Sequence, residues 1–218
     1  MNVVIAGIGR LGAQVAHVLA AAGNDITVID QDEDRLAEVA AHLDARLVPG
    51  DACEPSILEE AGALVANLLV AATGDDEDNL VISLLAKRQF AVPRVVARVN
   101  DTDNAWLFDH RWGVDVAVPS AIPLVSLIEE ATGASDTVAL LRLARAGVNV
   151  IETAIADKSR AAGRVLADID LPPGTIVAAV IRRGRPTVPD STMRLEAGDE
   201  LLIVSSEATE QEVHAAFQ

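Results

Sequence analysis

The chain has 218 residues, 50% hydrophobic and 23% charged, which is enough apolar material for a core and excludes wholesale disorder. Seventeen Lys and Arg stand against 33 Asp and Glu, a net charge of −16. Phosphate backbones and anionic membrane faces repel such a chain, so no nucleic-acid partner is expected and any membrane association runs through a protein.

One cysteine, Cys53, leaves no intrachain disulfide and no thiolate cluster, which fits a reducing, cytosolic compartment. Mean hydropathy is +0.30, high for a chain without a membrane-length apolar run. The longest candidate, Gly62 to Ala72, is short and carries Asn67. Met1-Asn2 leads into an apolar stretch with no basic segment, so no signal peptide is expected. A parallel sheet covered on both faces accounts for the hydropathy, because its strands read as unbroken apolar runs.

In chain order, strands are expected at Asn2–Ala6, Asp25–Ile29, Ala45–Val48, Leu68–Ala72, Val95–Val99 and Val114–Val118. Helices are expected between them at Arg10–Ala22, Asp32–His42, Pro55–Ala61, Asp76–Phe90 and Thr102–Trp112. Gly23, Gly62 and Gly113 fall where left-handed caps are wanted, and Pro55 fits a first helical turn. This alternation predicts right-handed βαβ units in an α/β, doubly wound, Rossmann-like parallel sheet over residues 1–118. A crossover helix or linker follows over 119–134, with a helix at Ser120–Ala131. Its Ile122, Leu124, Val125, Leu127 and Ile128 cover so much circumference that it must bury more than one face, within the chain or against another subunit. A small α+β domain over 135–218 is expected to hold strands at Thr137–Ala144, Val148–Ala156, Thr175–Arg182 and Glu200–Val204, with helices at Ser159–Ala167 and Glu207–Phe217.

The strongest chemical signal is Gly7-Ile8-Gly9-Arg10-Leu11-Gly12, between the first strand and the first helix. The first glycine permits a tight turn, the second lets backbone approach a pyrophosphate, and the third lets helix and strand pack closely. Asp30 ends the second strand 23 residues after Gly7, as a ribose-binding acid would. Its charge favours NAD or an adenine nucleotide over a 2′-phosphorylated one. Arg10 offers a guanidinium to phosphates, or else is an exposed residue at a helix start. Asp51 and Thr73-Gly74 follow the third and fourth strands, and Arg98 lies near the end of the fifth, where doubly wound folds bind ligands. The acidic run Asp75–Asp78 reads first as helix capping and dipole matching, and otherwise as a cation site. No histidine has a partner implying a relay, and Cys53 reads as a packed residue.

The chain resembles the Trk-type potassium uptake regulatory proteins, built from RCK N-terminal and RCK C-terminal domains. The resemblance lies in VVIAGIGRLG, the TVID strand end, GDA at 50–52, AATGDDEDN at 71–79, VVARV at 95–99 and GVDVAVPS at 113–120. In the second half it lies in GRVLADIDLPPG, VIRRGRPTVP and GDELLIV at 198–204. The resemblance implies a cytosolic regulatory subunit, peripheral to the inner face of the cell membrane through a potassium channel or transporter partner. It would bind NAD(H), ATP or ADP and assemble from dimers into a homo-oligomeric ring. It assigns Gly7 to Leu11, Asp30, Asp51, Thr73, Gly74 and Arg98 to the nucleotide. Some relatives carry an acid after the proline that follows the sixth strand, and Ser120 stands there instead, so no metal ligand is assigned. The implied protein is not an enzyme. A small NAD-dependent oxidoreductase is the alternative, and it needs a proton-transfer residue that the sequence does not display. A nucleotide-sensing transcription regulator is a third reading, disfavoured by the charge.

Overall fold

Residues 1–143 and 146–218 are described by a computed structural model, in which the chain divides into two compact units, Met1–Ala121 and Ile122–Gln218. The first unit holds six strands: β1 (Asn2–Ala6), β2 (Asp25–Asp30), β3 (Arg46–Pro49), β4 (Leu68–Ala71), β5 (Arg94–Val99) and β6 (Val116–Pro119). They form one sheet in the order β3-β2-β1-β4-β5-β6, with every neighbouring pair parallel. The helices α1 (Arg10–Ala21), α2 (Glu33–Ala40), α3 (Pro55–Glu60) and α4 (Asp76–Arg88) lie between the first five strands in sequence. The strand order reverses between β1 and β4, the position at which open α/β sheets receive ligands.

The burial explains the hydropathy. Val4 and Ala6 belong to one apolar cluster, while Val3 and Ile5 belong to another. Successive side chains of a strand point to opposite faces, so both faces of β1 are covered. Fully buried Ile5 contributes roughly 1.5–3 kcal/mol by leaving water.

Two predicted helices are not formed. Over 102–112 the chain makes two short 3₁₀ turns, Thr102–Leu107 and His110–Trp112. Asp101 caps the first turn through the Asp103 amide at 2.9 Å, but the Asp109 carboxylate accepts the Arg111 amide at 2.8 Å in mid-segment, where a continuous helix would bond that amide to the Leu107 carbonyl. Over 159–167 only Leu166–Asp168 is 3₁₀. There the Ala161 and Gly163 amides bond to the carbonyls of Phe217 and Leu195, and Gly163 adopts φ +79°.

The second unit opens with α5 (Ile122–Thr132). Its five strands are β7 (Thr137–Leu143), β8 (Val148–Ala154), β9 (Thr175–Arg182), β10 (Arg185–Thr187) and β11 (Glu200–Ser205). They form an antiparallel sheet in the order β10-β9-β11-β8-β7. The predicted end of β7 at Ala144 lies outside the described residues. The last helix, α6 (Glu210–Phe217), starts at a capping box of Thr209 and Glu212 and buries Val213 and Phe217. On α5, Leu124, Leu127 and Ile128 are 62%, 55% and 54% exposed.

Candidate functional site

A crevice of about 470 Å³ opens at the carboxyl ends of the central strands. Its floor is the turn after β1. The Gly7 amide extends the ladder to the Ile29 carbonyl at 2.8 Å, and the Gly7 backbone then turns at φ +91°. A Cβ on Gly7 would lie 2.8 Å from Thr73 Cα, and one on Gly12 would lie 2.0 Å from the Gly7 carbonyl oxygen. The two glycines therefore bring β1, β4 and α1 closer than any side chain would permit. Gly9 is the N-cap of α1 and no side chain caps this helix start, so its first amides are left to a ligand or solvent.

Seven of the predicted residues line this crevice: Gly7 and Gly9, then Asp30, Asp51, Thr73, Gly74 and Arg98. The Asp30 carboxylate accepts the Ile8 amide at 2.7 Å through one oxygen and the Asp32 amide at 2.9 Å through the other. Each oxygen keeps a lone pair, which suits a pair of ribose hydroxyls. The other four predicted residues do not line the crevice. The Ile8 side chain is buried in the core and its amide is committed to Asp30. Arg10 is exposed at the first position of α1, Leu11 is half-buried and Gly12 is buried.

The residues present fit a phosphorylated nucleoside. Arg98 Nε is buried and has no hydrogen-bond partner among the described residues. A buried guanidinium NH without an acceptor is costly, and an anionic ligand would satisfy it.

The family model of the TrkA-N domain matches residues 3–120, and that of the TrkA-C domain matches residues 150–218. The chain belongs to the TrkA family. A "Trk system potassium uptake protein TrkA" of Mycobacterium tuberculosis (strain ATCC 25618 / H37Rv) is 43% identical over 98% of this chain and 96% of its own length. Among solved structures, a "GsuK channel bound to NAD" superposes with a TM-score of 0.59 at 17% identity, over 98% of this chain and 38% of the channel chain. At that identity the likeness speaks to the fold alone. A "Shewanella denitrificans Kef CTD in AMP bound form" is 29% identical, with a TM-score of 0.53, over 62% of this chain and 81% of its own.

In this TrkA-family chain the structure adds residues that the sequence reading assigned no role. Arg35, on the first turn of α2, lines the crevice beside Asp30 and pairs with Asp32 at 3.1 Å. Its sequence signal is weak, since an Arg three positions after an N-cap Asp reads as an ordinary helix-surface pair. The acidic run behaves differently from the capping expected of it: the N-cap Asp75 makes no side-chain cap bond. Asp76 instead turns to the loop after β5, where it accepts the Asn100 and Asp101 amides at 2.7 and 3.0 Å and the Asn104 side chain at 2.9 Å. Burial works to raise its pKa, but these hydrogen bonds prevail and hold it below the usual carboxylate value. Burial also pushes the Cys53 thiol up, to about 12, and the Asp78 and Asp51 carboxylates add to the rise. A thiol so held is protonated at neutral pH and is no nucleophile.

Proposed function

We propose that this chain is a ligand-binding regulatory subunit of a potassium channel or transporter of the Trk/Ktr type, held at the cytoplasmic face by its membrane partner. An adenine nucleotide, NAD(H), ATP or ADP, lies across the glycine turn and is released unaltered. The observation that carries this reading is that Asp30, with a lone pair to spare on each oxygen, and Arg98, with an unpartnered buried Nε, line one crevice over the uncapped start of α1. In this reading Asp30 takes the adenosine ribose, and the amides beyond Gly9 take the phosphates. Arg10, exposed at the head of α1, and Arg98 add charge to the phosphate side, while Asp51, Thr73 and Gly74 complete the walls. The relatives support it, since one is named as a potassium uptake protein and a 29% identical neighbour is described with AMP bound. Among the described residues no helix is long and apolar enough to cross a membrane, and in this reading the membrane partner supplies the pore.

The ligand acts by differential affinity for two conformations. One site couples by about 1–3 kcal/mol, and several sites in a homo-oligomeric ring of dimers add towards the roughly 5.5 kcal/mol of a full switch. In this arrangement residues 1–118 bind the nucleotide, 119–134 link copies through the exposed face of α5, and 135–218 form the RCK C-terminal regulatory domain. Calorimetric titration with NAD, NADH, ATP, ADP and AMP, with chromatography of the recovered ligand, tests the proposal. Binding of at least one without conversion is expected. Binding of none, or release of a converted product, overturns it.

A further inference from the structure

The Asn79 side chain on α4 is 0% exposed, a rare placement for an amide and costly unless every polar atom is used. Its Oδ1 accepts the Thr73 amide at 2.9 Å and the Thr73 hydroxyl at 2.8 Å. Its Nδ2 donates to the Arg98 carbonyl at 3.1 Å and to the Thr73 carbonyl at 3.5 Å. The opposite amide orientation would set donor against donor at the Thr73 N–H and acceptor against acceptor at the Arg98 carbonyl, so the network fixes the assignment. One side chain thus ties the loop after β4 to the end of β5, at the two residues that form one wall of the crevice.

The same network settles the polarity of Thr73. Its hydroxyl has one proton, and both acceptors that compete for it are protein atoms: Asn79 Oδ1 and the Asp75 carbonyl at 3.0 Å. The Asp75 amide approaches one lone pair at 3.3 Å. The Thr73 proton is therefore held within the protein, and any bond from this hydroxyl to a group in the crevice must use a lone pair. Phosphate oxygens at neutral pH accept and do not donate, so they gain nothing from that atom, whereas a sugar hydroxyl or an amide N–H does.

We infer that Asn79 is a positioning residue that turns the Thr73 hydroxyl into an acceptor and holds the Arg98 backbone, so that this wall takes an O–H or N–H donor of the ligand while Arg98 takes its anion. The inference rests on the nucleotide reading above and names the ligand group that each residue of that wall meets.

The test is a double-mutant cycle on the full chain, with affinities for NAD and ADP measured by calorimetry for wild type, Asn79→Ala, Thr73→Val and the pair. Asn79→Ala is expected to weaken NAD binding about tenfold, and Thr73→Val by a similar factor. The pair should be no weaker than the worse single variant, because both remove one arrangement. Ser83→Ala is the control for helix damage: Ser83 is equally buried one turn on, donates to the Asn79 carbonyl at 2.6 Å and does not line the crevice. Its affinity should match wild type. Asn79→Asp covers the case in which the alanine variant fails to fold. A protonated Asp can reproduce both sides of the amide and an ionised one cannot, so its NAD affinity should rise as the pH falls below about 7 while wild type stays level. Among the described residues no histidine lines the crevice to confuse that profile. Additive losses, an equal loss in Ser83→Ala, or a flat profile in Asn79→Asp overturn the inference while leaving nucleotide binding intact. Absence of binding by wild type overturns both.

Discussion

The acid that ends β2 holds the turn that ends β1: Asp30 Oδ2 accepts the Ile8 amide at 2.7 Å. Asp30 is therefore a brace for the glycine loop, and in the proposed reading it is also the acceptor for the ribose. Asp30→Ala removes the two oxygens proposed to accept the ribose hydroxyls and leaves the Ile8 and Asp32 amides without their carboxylate. Nucleotide affinity is expected to fall about 10- to 100-fold, or roughly 1.4–2.7 kcal/mol, with a smaller loss of thermal stability. Calorimetry and thermal denaturation on the same preparation check it. A wild-type Kd in Asp30→Ala would remove Asp30 from the site.

Two glycines of one loop separate fold from function. A Cβ on Gly12 collides with the Gly7 carbonyl oxygen at 2.0 Å, whereas one on Gly9 meets nothing within 4 Å. Gly9 nevertheless lines the crevice, at the helix end that is to carry phosphate. Gly12→Ala is expected to cost about 2–4 kcal/mol of stability, since both clashing atoms are backbone-fixed. Gly9→Ala should keep its melting temperature within a few degrees and still lose most of its nucleotide affinity, because the methyl group occupies ligand space. Melting curves and titrations of the two variants give the contrast. The same melting loss in both would show that the loop has no such division.

The parallel sheet was legible because both faces of each central strand are buried, which writes an apolar run into the sequence, as in Val3 to Ala6. The glycine loop and Asp30 were legible because their geometry excludes most other residue types. The 102–112 and 159–167 segments were not. Their composition suits a helix, but Asp109 and the long-range partners of Ala161 and Gly163 take the backbone bonds elsewhere. Asn79 could not be read either, because its meaning lies in contacts to Thr73 and to Arg98, 19 residues along the chain. Arg10 illustrates the opposite case: its position in the motif points to phosphate, yet its side chain stands outside the crevice lining.

The second unit carries an ion pair with a buried carboxylate, whose pH dependence has a definite sign. Asp199, 0% exposed, accepts from Arg182 Nε and Nη2, both at 2.7 Å, and from the Glu196 amide at 2.8 Å. Burial works to raise its pKa, but the Arg182 hydrogen bonds prevail and lower it, and Asp76 in the first unit is lowered too. A carboxylate with a depressed folded pKa stabilises above its unfolded value of about 3.9, and that contribution is lost as the pH falls through the folded value. The melting temperature should therefore hold near neutrality and fall from about pH 5 downward. Asp199→Asn should lower stability at pH 7 by about 1–3 kcal/mol, towards the small end because Arg182 is 35% exposed, and should flatten the acid slope. Denaturation scans of wild type and variant across that range check it. An unchanged slope would mean that the pair does not titrate on unfolding.

The exposed face of α5 makes the last prediction. Leu124, Leu127 and Ile128 are each more than half exposed, although contiguous apolar area of this kind is normally covered. Their spacing of three and four places them on one side of the helix, and water there is displaced most simply by the same face of a second copy. Leu127→Asp would place an unpaired charge in such an interface while disturbing little in the isolated chain, because Leu127 is 55% exposed. The dimer dissociation constant is expected to rise at least about tenfold, with secondary structure unchanged. Light scattering over a concentration series measures the first and circular dichroism the second. If Leu127→Asp associates as wild type does, α5 is not the contact between copies.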